Sequence, residues 1–205
     1  MITSYRTINS RSAGLYKEKG SKFISLVYNV ETKNEIDNIL HALKKEYHDA
    51  RHHCYAYMLG AGAETFRAND DGEPNHSAGD PILSQIKSLG ITNVLIVVVR
   101  YFGGTKLGIG GLINAYKAAA RDALSHTQVV DIEITKRVVL KYPFSSTNQV
   151  MKLIKDFKIK ITNQAFDNHC TIEGNVPLQQ LPLFEKEIEL LNNLGVEVSI
   201  NLNII

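Results

Sequence analysis

Tryptophan is absent, and only two cysteines and five prolines occur among 205 residues. Cys54 and Cys170 are too few for a disulfide framework and lack metal-ligand spacing, which suits a reducing compartment. The scarcity of proline and the lack of low-complexity segments argue against long disordered arms. No apolar run approaches the ~20 residues that a membrane helix needs. The opening MITSYRTINS holds no apolar core of signal-peptide length. A formal net charge of +2 sets up no field that by itself demands nucleic acid or a membrane. The expectation is a soluble cytoplasmic protein with no membrane partner.

What is present is material for a core: 44% of the residues are hydrophobic. The length permits one large domain or two small ones. Strand patterns occur at residues 5–8, 22–30, 52–59 and 65–68. Residues 31–47 carry a helical stripe of Ile36, Ile39, Leu40 and Leu43, with Thr32 and Glu35 at capping-box spacing. A second helix is expected from Asp80-Pro81, with Asp80 as N-cap and Gly90 as the left-handed stop. The run VLIVVV at residues 94–99 reads as a strand buried on both faces. A helix from about residue 111 to 126 follows a glycine cluster, and its Leu112, Ala115, Ala119 and Ala123 form a small-residue face.

The remainder alternates differently. Strands at residues 132–142, 158–165, 170–176 and 196–202, with helices at 146–157 and 178–194, give βαββαβ, the ferredoxin-like pattern. The expected fold class is α+β in two domains, residues 1–130 and 131–205. The first is an α/β sandwich with a buried central strand and a glycine loop leading into a helix.

The stretch RYFGGTKLGIGGL carries the main candidate site. Gly103, Gly104, Gly108, Gly110 and Gly111 leave amides unshielded before a helix, where an anion is favoured, and Arg100 and Lys106 add positive charge. A Walker A loop and a G-x-G-x-x-G fingerprint both fail on spacing. A tight strand-to-helix turn with no ligand stands as the alternative. The acidic loop Asp70-Asp71-Gly72-Glu73 can hold Mg²⁺, serve a basic partner, or be an Asp-Gly turn; the turn or partner reading is preferred. His48, His52, His53 and Cys54 tempt a zinc reading. On a strand, however, His52 and Cys54 share one face while His53, Tyr55 and Tyr57 share the other, so a packed pair is preferred. Tyr55, Tyr57, Arg67, Arg100, Tyr101, Phe102 and Lys106 can form a surface for single-stranded RNA. Phe102 is expected instead to cap the core at a strand end. Arg100 is expected to be functional, because a charge directly after VLIVVV must find a partner or solvent.

The run GDPILSQIKSLGITNVLIVVVRYFGGTKLG, with DDGEP upstream and GGLINAY downstream, resembles the signature of the YigZ/IMPACT family. The resemblance implies an N-terminal domain folded like the second domain of a small-subunit ribosomal protein, a fold also found in elongation factor G and in galactokinase-type kinases. It implies a C-terminal domain similar to the last domain of elongation factor G. Eukaryotic relatives act in translational control, by restraining an initiation-factor kinase, and bacterial members are described as nucleic-acid- or ribosome-associated. No catalytic set and no cofactor carries over. Where the family often reads DDGEPSGTAG, this chain reads DDGEPNHSAG, with Asn75 and His76 in place of small residues. The expected function is non-enzymatic engagement of RNA, the ribosome or a translation-related protein partner. The alternatives are an enzyme for a phosphorylated metabolite or nucleotide with Mg²⁺, and a protein-binding adaptor.

Overall fold

The structure, a computed structural model, describes residues 1–202; the last three residues of the expected second domain lie outside them. It divides into two compact units, residues 4–132, and residues 133 onward together with the first three. The Ile134 amide donates to the Thr3 carbonyl at 2.8 Å and so ties the first residues to the later unit.

In chain order the first unit holds β1 (Ser4–Ile8), β2 (Ser12–Glu18), β3 (Ser21–Asn29), α1 (Lys33–Glu46), β4 (His52–Leu59), β5 (Thr65–Asn69), α2 (Gly79–Leu89), β6 (Val94–Tyr101), α3 (Gly108–Ser125) and β7 (Val129–Glu133). Five strands form one sheet in the order β2-β3-β6-β4-β5, and β1 pairs with β7 separately. Every neighbouring pair in the five-stranded sheet is antiparallel. The sheet is nonetheless covered on both faces, which antiparallel sheets often are not. On one face Val94, Ile96 and Val98 pack with Ile82 and Ile86 of α2 and with Leu112, Ala115 and Ala119 of α3. On the other, Leu95, Val97 and Val99 pack with Ile36 and Leu43 of α1. The expected two-sided burial of β6 is therefore present.

β2 was not anticipated. Its SAGLYKE is short of large apolar residues because α3 lies close to it: a side chain at Gly14 would come within 2.5 Å of the Ala123 backbone nitrogen. Thr32 accepts from the Glu35 amide as expected. The return bond from Glu35 goes to the Glu31 amide, one residue earlier than an ideal capping box.

The start of α2 corrects the expectation for Asp80. The helix begins at Gly79, its N-cap residue is Ala78, and Asp80 lies in the first turn. The capping carboxylate comes from Asp70: Oδ1 accepts from the amides of Ala78 (2.9 Å) and Gly79 (2.8 Å), and Oδ2 from that of His76 (2.9 Å). Gly90 closes the helix in the left-handed region, φ 60°, as expected.

The second unit holds β8 (Thr135–Tyr142), α4 (Thr147–Asp156), β9 (Lys160–Phe166), β10 (Cys170–Pro177), α5 (Leu181–Asn193) and β11 (Ser199–Asn201). The order β11-β8-β10-β9, antiparallel throughout, is the ferredoxin-like arrangement. The strand expected at residues 132–142 is in fact two, β7 and β8. The unit has its own core, in which Leu140, Val150, Ile172, Phe184 and Ile188 are buried. Among the described residues no helix is long and apolar enough to cross a membrane.

Asp70→Ala removes the side-chain acceptor of three amides at a helix start. It is expected to cost about 2 kcal/mol, the upper end for a lost cap, read as a lower urea midpoint with an unchanged slope. Asp80→Ala, by contrast, is expected to leave the midpoint within about 0.5 kcal/mol, as an ordinary surface change does.

Candidate functional site

Arg100 continues β6 past its apolar run, and strand alternation puts it on the Val98 face, toward α2 and α3. The antiparallel registers set Phe23 of β3 on one side of it and His52 of β4 on the other. Its guanidinium lies 5.5 Å from the Phe23 ring and 5.7 Å from the Phe102 ring, within cation–π range. Arg100 is 7% exposed, and its charge is met by Glu73, 4% exposed, at 2.6 Å. The same Glu73 oxygen accepts from the Tyr116 hydroxyl at 2.8 Å. Tyr116 stands edge-on to Phe23 at 5.1 Å.

Cys54 extends this network. Its Sγ lies 3.3 Å from the Tyr116 hydroxyl and 3.0 Å from the Asp70 carbonyl, and its one proton serves one of them. Burial pushes the Cys54 thiol and the Tyr116 hydroxyl far above their ordinary values, so both remain protonated donors. Cys54 is thus a core thiol without thiolate character.

The three carboxylates of the acidic loop serve three separate partners. Asp70 caps α2. Asp71 accepts from the His53 amide at 2.7 Å and pairs with Lys44 at 3.7 Å, and Glu73 neutralises Arg100. Among the described residues no three His, Cys, Asp or Glu side chains cluster as a metal site would require. His76 holds φ 63°, in the left-handed region. Its Nδ1 sits 2.6 Å from Asp80, an exposed pair.

The glycines of the loop have distinct tasks. Gly103 passes so close to Gly20 that a side chain would fall 1.8 Å from the Gly20 carbonyl carbon, which makes Gly103 a packing requirement. Gly108 opens α3 at φ 71°, in the left-handed region, with open space where a side chain would be. Gly104 lies before it, Gly110 and Gly111 in the first turn after it. The helix therefore starts three residues earlier than expected. It has no side-chain cap and no acidic residue in its first turn, so the amides that a helix start leaves open get no acceptor from a capping side chain or a first-turn carboxylate.

These elements enclose a cleft of about 470 Å³, partly open to solvent, lined by Arg51, His52, Glu73, Pro74, Arg100, Phe102, Lys106, Leu107, Gly108, Ile109 and Leu112. The glycine loop and the acidic loop thus meet. Phe102 does not cap the core: it is 54% exposed and forms part of the cleft wall, as does Ile109 at 59%. Arg100, itself buried, is among the lining residues, and its Nε has no hydrogen-bond partner among the described residues. His52 Nδ1 is 2.9 Å from the Asp71 carbonyl. A carbonyl only accepts, so Nδ1 carries a proton, and in the neutral tautomer with that bond Nε2 is the acceptor.

The other expected contact residues lie elsewhere. Tyr55 and Tyr57 point to the α1 face and stack on each other at 6.5 Å. Arg67 is paired in register with Tyr57 and belongs to that face too. Tyr101 donates to Asp49 at 2.7 Å, a bond that pushes its hydroxyl up to about 12. Arg51 and His52 were missed as cleft residues. The alternation of β4 already put His52 on the Cys54 face, but its register beside Arg100 is long-range information. A hollow of about 670 Å³ in the second unit mixes Lys141, Asp167, His169 and Glu197 and presents no single charge.

A family model for the Impact N-terminal domain matches residues 19–124, which contain the whole cleft. The IMPACT family member YigZ of Escherichia coli is 38% identical over 172 residues, covering 83% of this chain and 84% of that protein. The IMPACT family member YvyE of Bacillus subtilis is 28% identical over 193 residues, covering 94% and 89%. The protein IMPACT homolog of Dictyostelium discoideum is 37% identical over 95 residues, 44% of this chain and 27% of its own. A crystal structure described as that of a hypothetical protein superposes with a TM-score of 0.68 at 25% identity, covering 98% of this chain and 97% of the other.

Removing one member of a buried ion pair strands the other. Glu73→Ala is therefore expected to cost about 3–5 kcal/mol in urea unfolding. The double variant Glu73→Leu, Arg100→Leu is expected to recover most of that loss. Equal losses in the single and double variants would contradict the pairing.

Proposed function

The chain belongs to the Impact N-terminal domain family, and from that premise we propose that it is a non-enzymatic, cytoplasmic binding protein that engages RNA, free or within a ribosomal particle, and so acts on translation. The observation that carries this reading is the lining of the cleft. Glu73 is already matched by Arg100, so the charges of Arg51 and Lys106 remain for a ligand. The uncapped start of α3 adds partial positive charge at the same place. Phe102 offers an exposed ring beside them, and base stacking on such a ring contributes about 1–3 kcal/mol per base.

A second reading, an enzyme for a phosphorylated metabolite or nucleotide, draws on His52 at the cleft, whose Nδ1 bond to the Asp71 carbonyl leaves Nε2 for proton transfer. The three engaged carboxylates of the acidic loop speak against Mg²⁺ being held there. Turnover of a nucleotide or sugar-phosphate panel that is lost in His52→Gln would favour this reading over the first.

The RNA reading is tested by binding of single-stranded RNA across a salt series. Affinity is expected to fall steeply as salt rises, and Lys106→Ala and Arg51→Ala are each expected to flatten the slope by about one unit. RNA binding that ignores salt and both substitutions, or no binding of RNA and ribosomes at all, contradicts it.

A further inference from the structure

We propose that the cleft accepts one ribonucleoside monophosphate unit, either a free nucleotide or the phosphorylated end of an RNA chain, and not an internal stretch of RNA. This rests on the reading of the cleft as an RNA site and specifies what part of an RNA enters it. Size is the first argument. A volume of about 470 Å³ belongs to small-ligand pockets, which span roughly 300–1,000 Å³. Grooves that track single strands accommodate about 4–16 nucleotides.

Charge is the second argument. An internal phosphodiester carries one negative charge, whereas a terminal monophosphate carries about −1.5 to −2 at neutral pH. Arg51 and Lys106 are two cleft cations not matched by a cleft carboxylate, and they stand with the uncapped start of α3. Arg100 supplies a second, independent observation: its side chain lines the cleft though 93% buried, and beyond its pair with Glu73 its Nε–H meets no acceptor among the described residues, so a shift of the side chain on binding would give it one.

The walls complete the match. Phe102 and Ile109 are more than half exposed at the cleft and offer apolar surface to a planar base. With Nδ1–H on the Asp71 carbonyl, Nε2 of the neutral His52 tautomer suits a hydroxyl donor such as those of ribose. The site therefore places phosphate at the α3 start with Lys106 and Arg51, and the base against Phe102.

The test is fluorescence anisotropy of the full chain with oligoribonucleotides of one sequence. The label sits at one end and the free end carries either phosphate or hydroxyl, at the 5′ side in one series and the 3′ side in the other. A terminal phosphate in one series is expected to tighten binding about ten-fold or more. Nucleoside monophosphates are expected to displace the RNA at concentrations where inorganic phosphate does not. Lys106→Ala, at an exposed position, is expected to erase the phosphate preference with unchanged thermal unfolding, and Phe102→Leu to weaken displacement by nucleoside monophosphates, the base having lost its ring. RNA bound equally with and without end phosphates, and not displaced by monophosphates, overturns this inference and leaves RNA binding standing. Monophosphates that bind while RNA does not support the nucleotide unit and overturn the RNA reading. Inorganic phosphate competing as well as the nucleotides, or no binding of any of these probes, overturns the inference.

Discussion

The first unit is organised around a charge that strand periodicity forces indoors. β6 is apolar on both faces up to Val99, and its next residue is Arg100. Antiparallel neighbours on both sides and helices on both faces leave that guanidinium little route to water. An isolated buried charge of this kind costs several kcal/mol after relaxation. Glu73 removes most of that cost, and the position of the acidic loop follows. Asp70 then reaches the amides of α2, Asp71 reaches the amide of His53, and Tyr116 of α3 reaches the same Glu73 oxygen as Arg100. The ion pair thereby joins the start of α2, the middle of α3 and the acidic loop to the sheet.

The cleft is the remainder of that solution. Glu73 satisfies Arg100 from one side, while Phe23 and Phe102 flank the guanidinium and Nε is left without an acceptor. Close passage of Gly103 over Gly20 and the left-handed turn at Gly108 bring the start of α3 to the same place. Packing and ligand readings of the glycine loop are therefore not exclusive. Gly103 answers to packing, while Gly108, Gly110 and the uncapped amides leave room for an anion. The loop achieves this without catalytic phosphate-loop spacing.

Much of the architecture could be read from local pattern. The VLIVVV run, the capping pair of Thr32 and Glu35, the stop at Gly90 and the ferredoxin-like order of the second unit all depend on neighbours close in sequence. β2 escaped notice because its composition answers to contact with α3, which is distant along the chain. Asp80 was preferred as a cap because it adjoins Pro81, whereas Asp70 reaches the helix start from an earlier loop. Arg100 was rightly expected to need a partner, but Glu73, 27 residues earlier, could be named only once the loop was placed. Arg51 and His52 emerged as cleft residues only once β4 was placed beside β6, whereas alternation along β4 had already put Tyr55 and Tyr57 on the other face, which the pairing of β5 with β4 extends to Arg67.

The central claim is that an anion enters beside Arg100 and the start of α3. Nitrogen-15 NMR of the uniformly labelled protein tests this directly, through the Arg100 Nε–Hε resonance and the backbone amides of Gly108, Ile109, Gly110 and Gly111. Titration with adenosine 5′-monophosphate is predicted to shift these five signals together along one saturable curve, while amides of the second unit stay in place. Shifts confined to other basic residues, or an unmoved Arg100 signal at saturating nucleotide, would contradict the account.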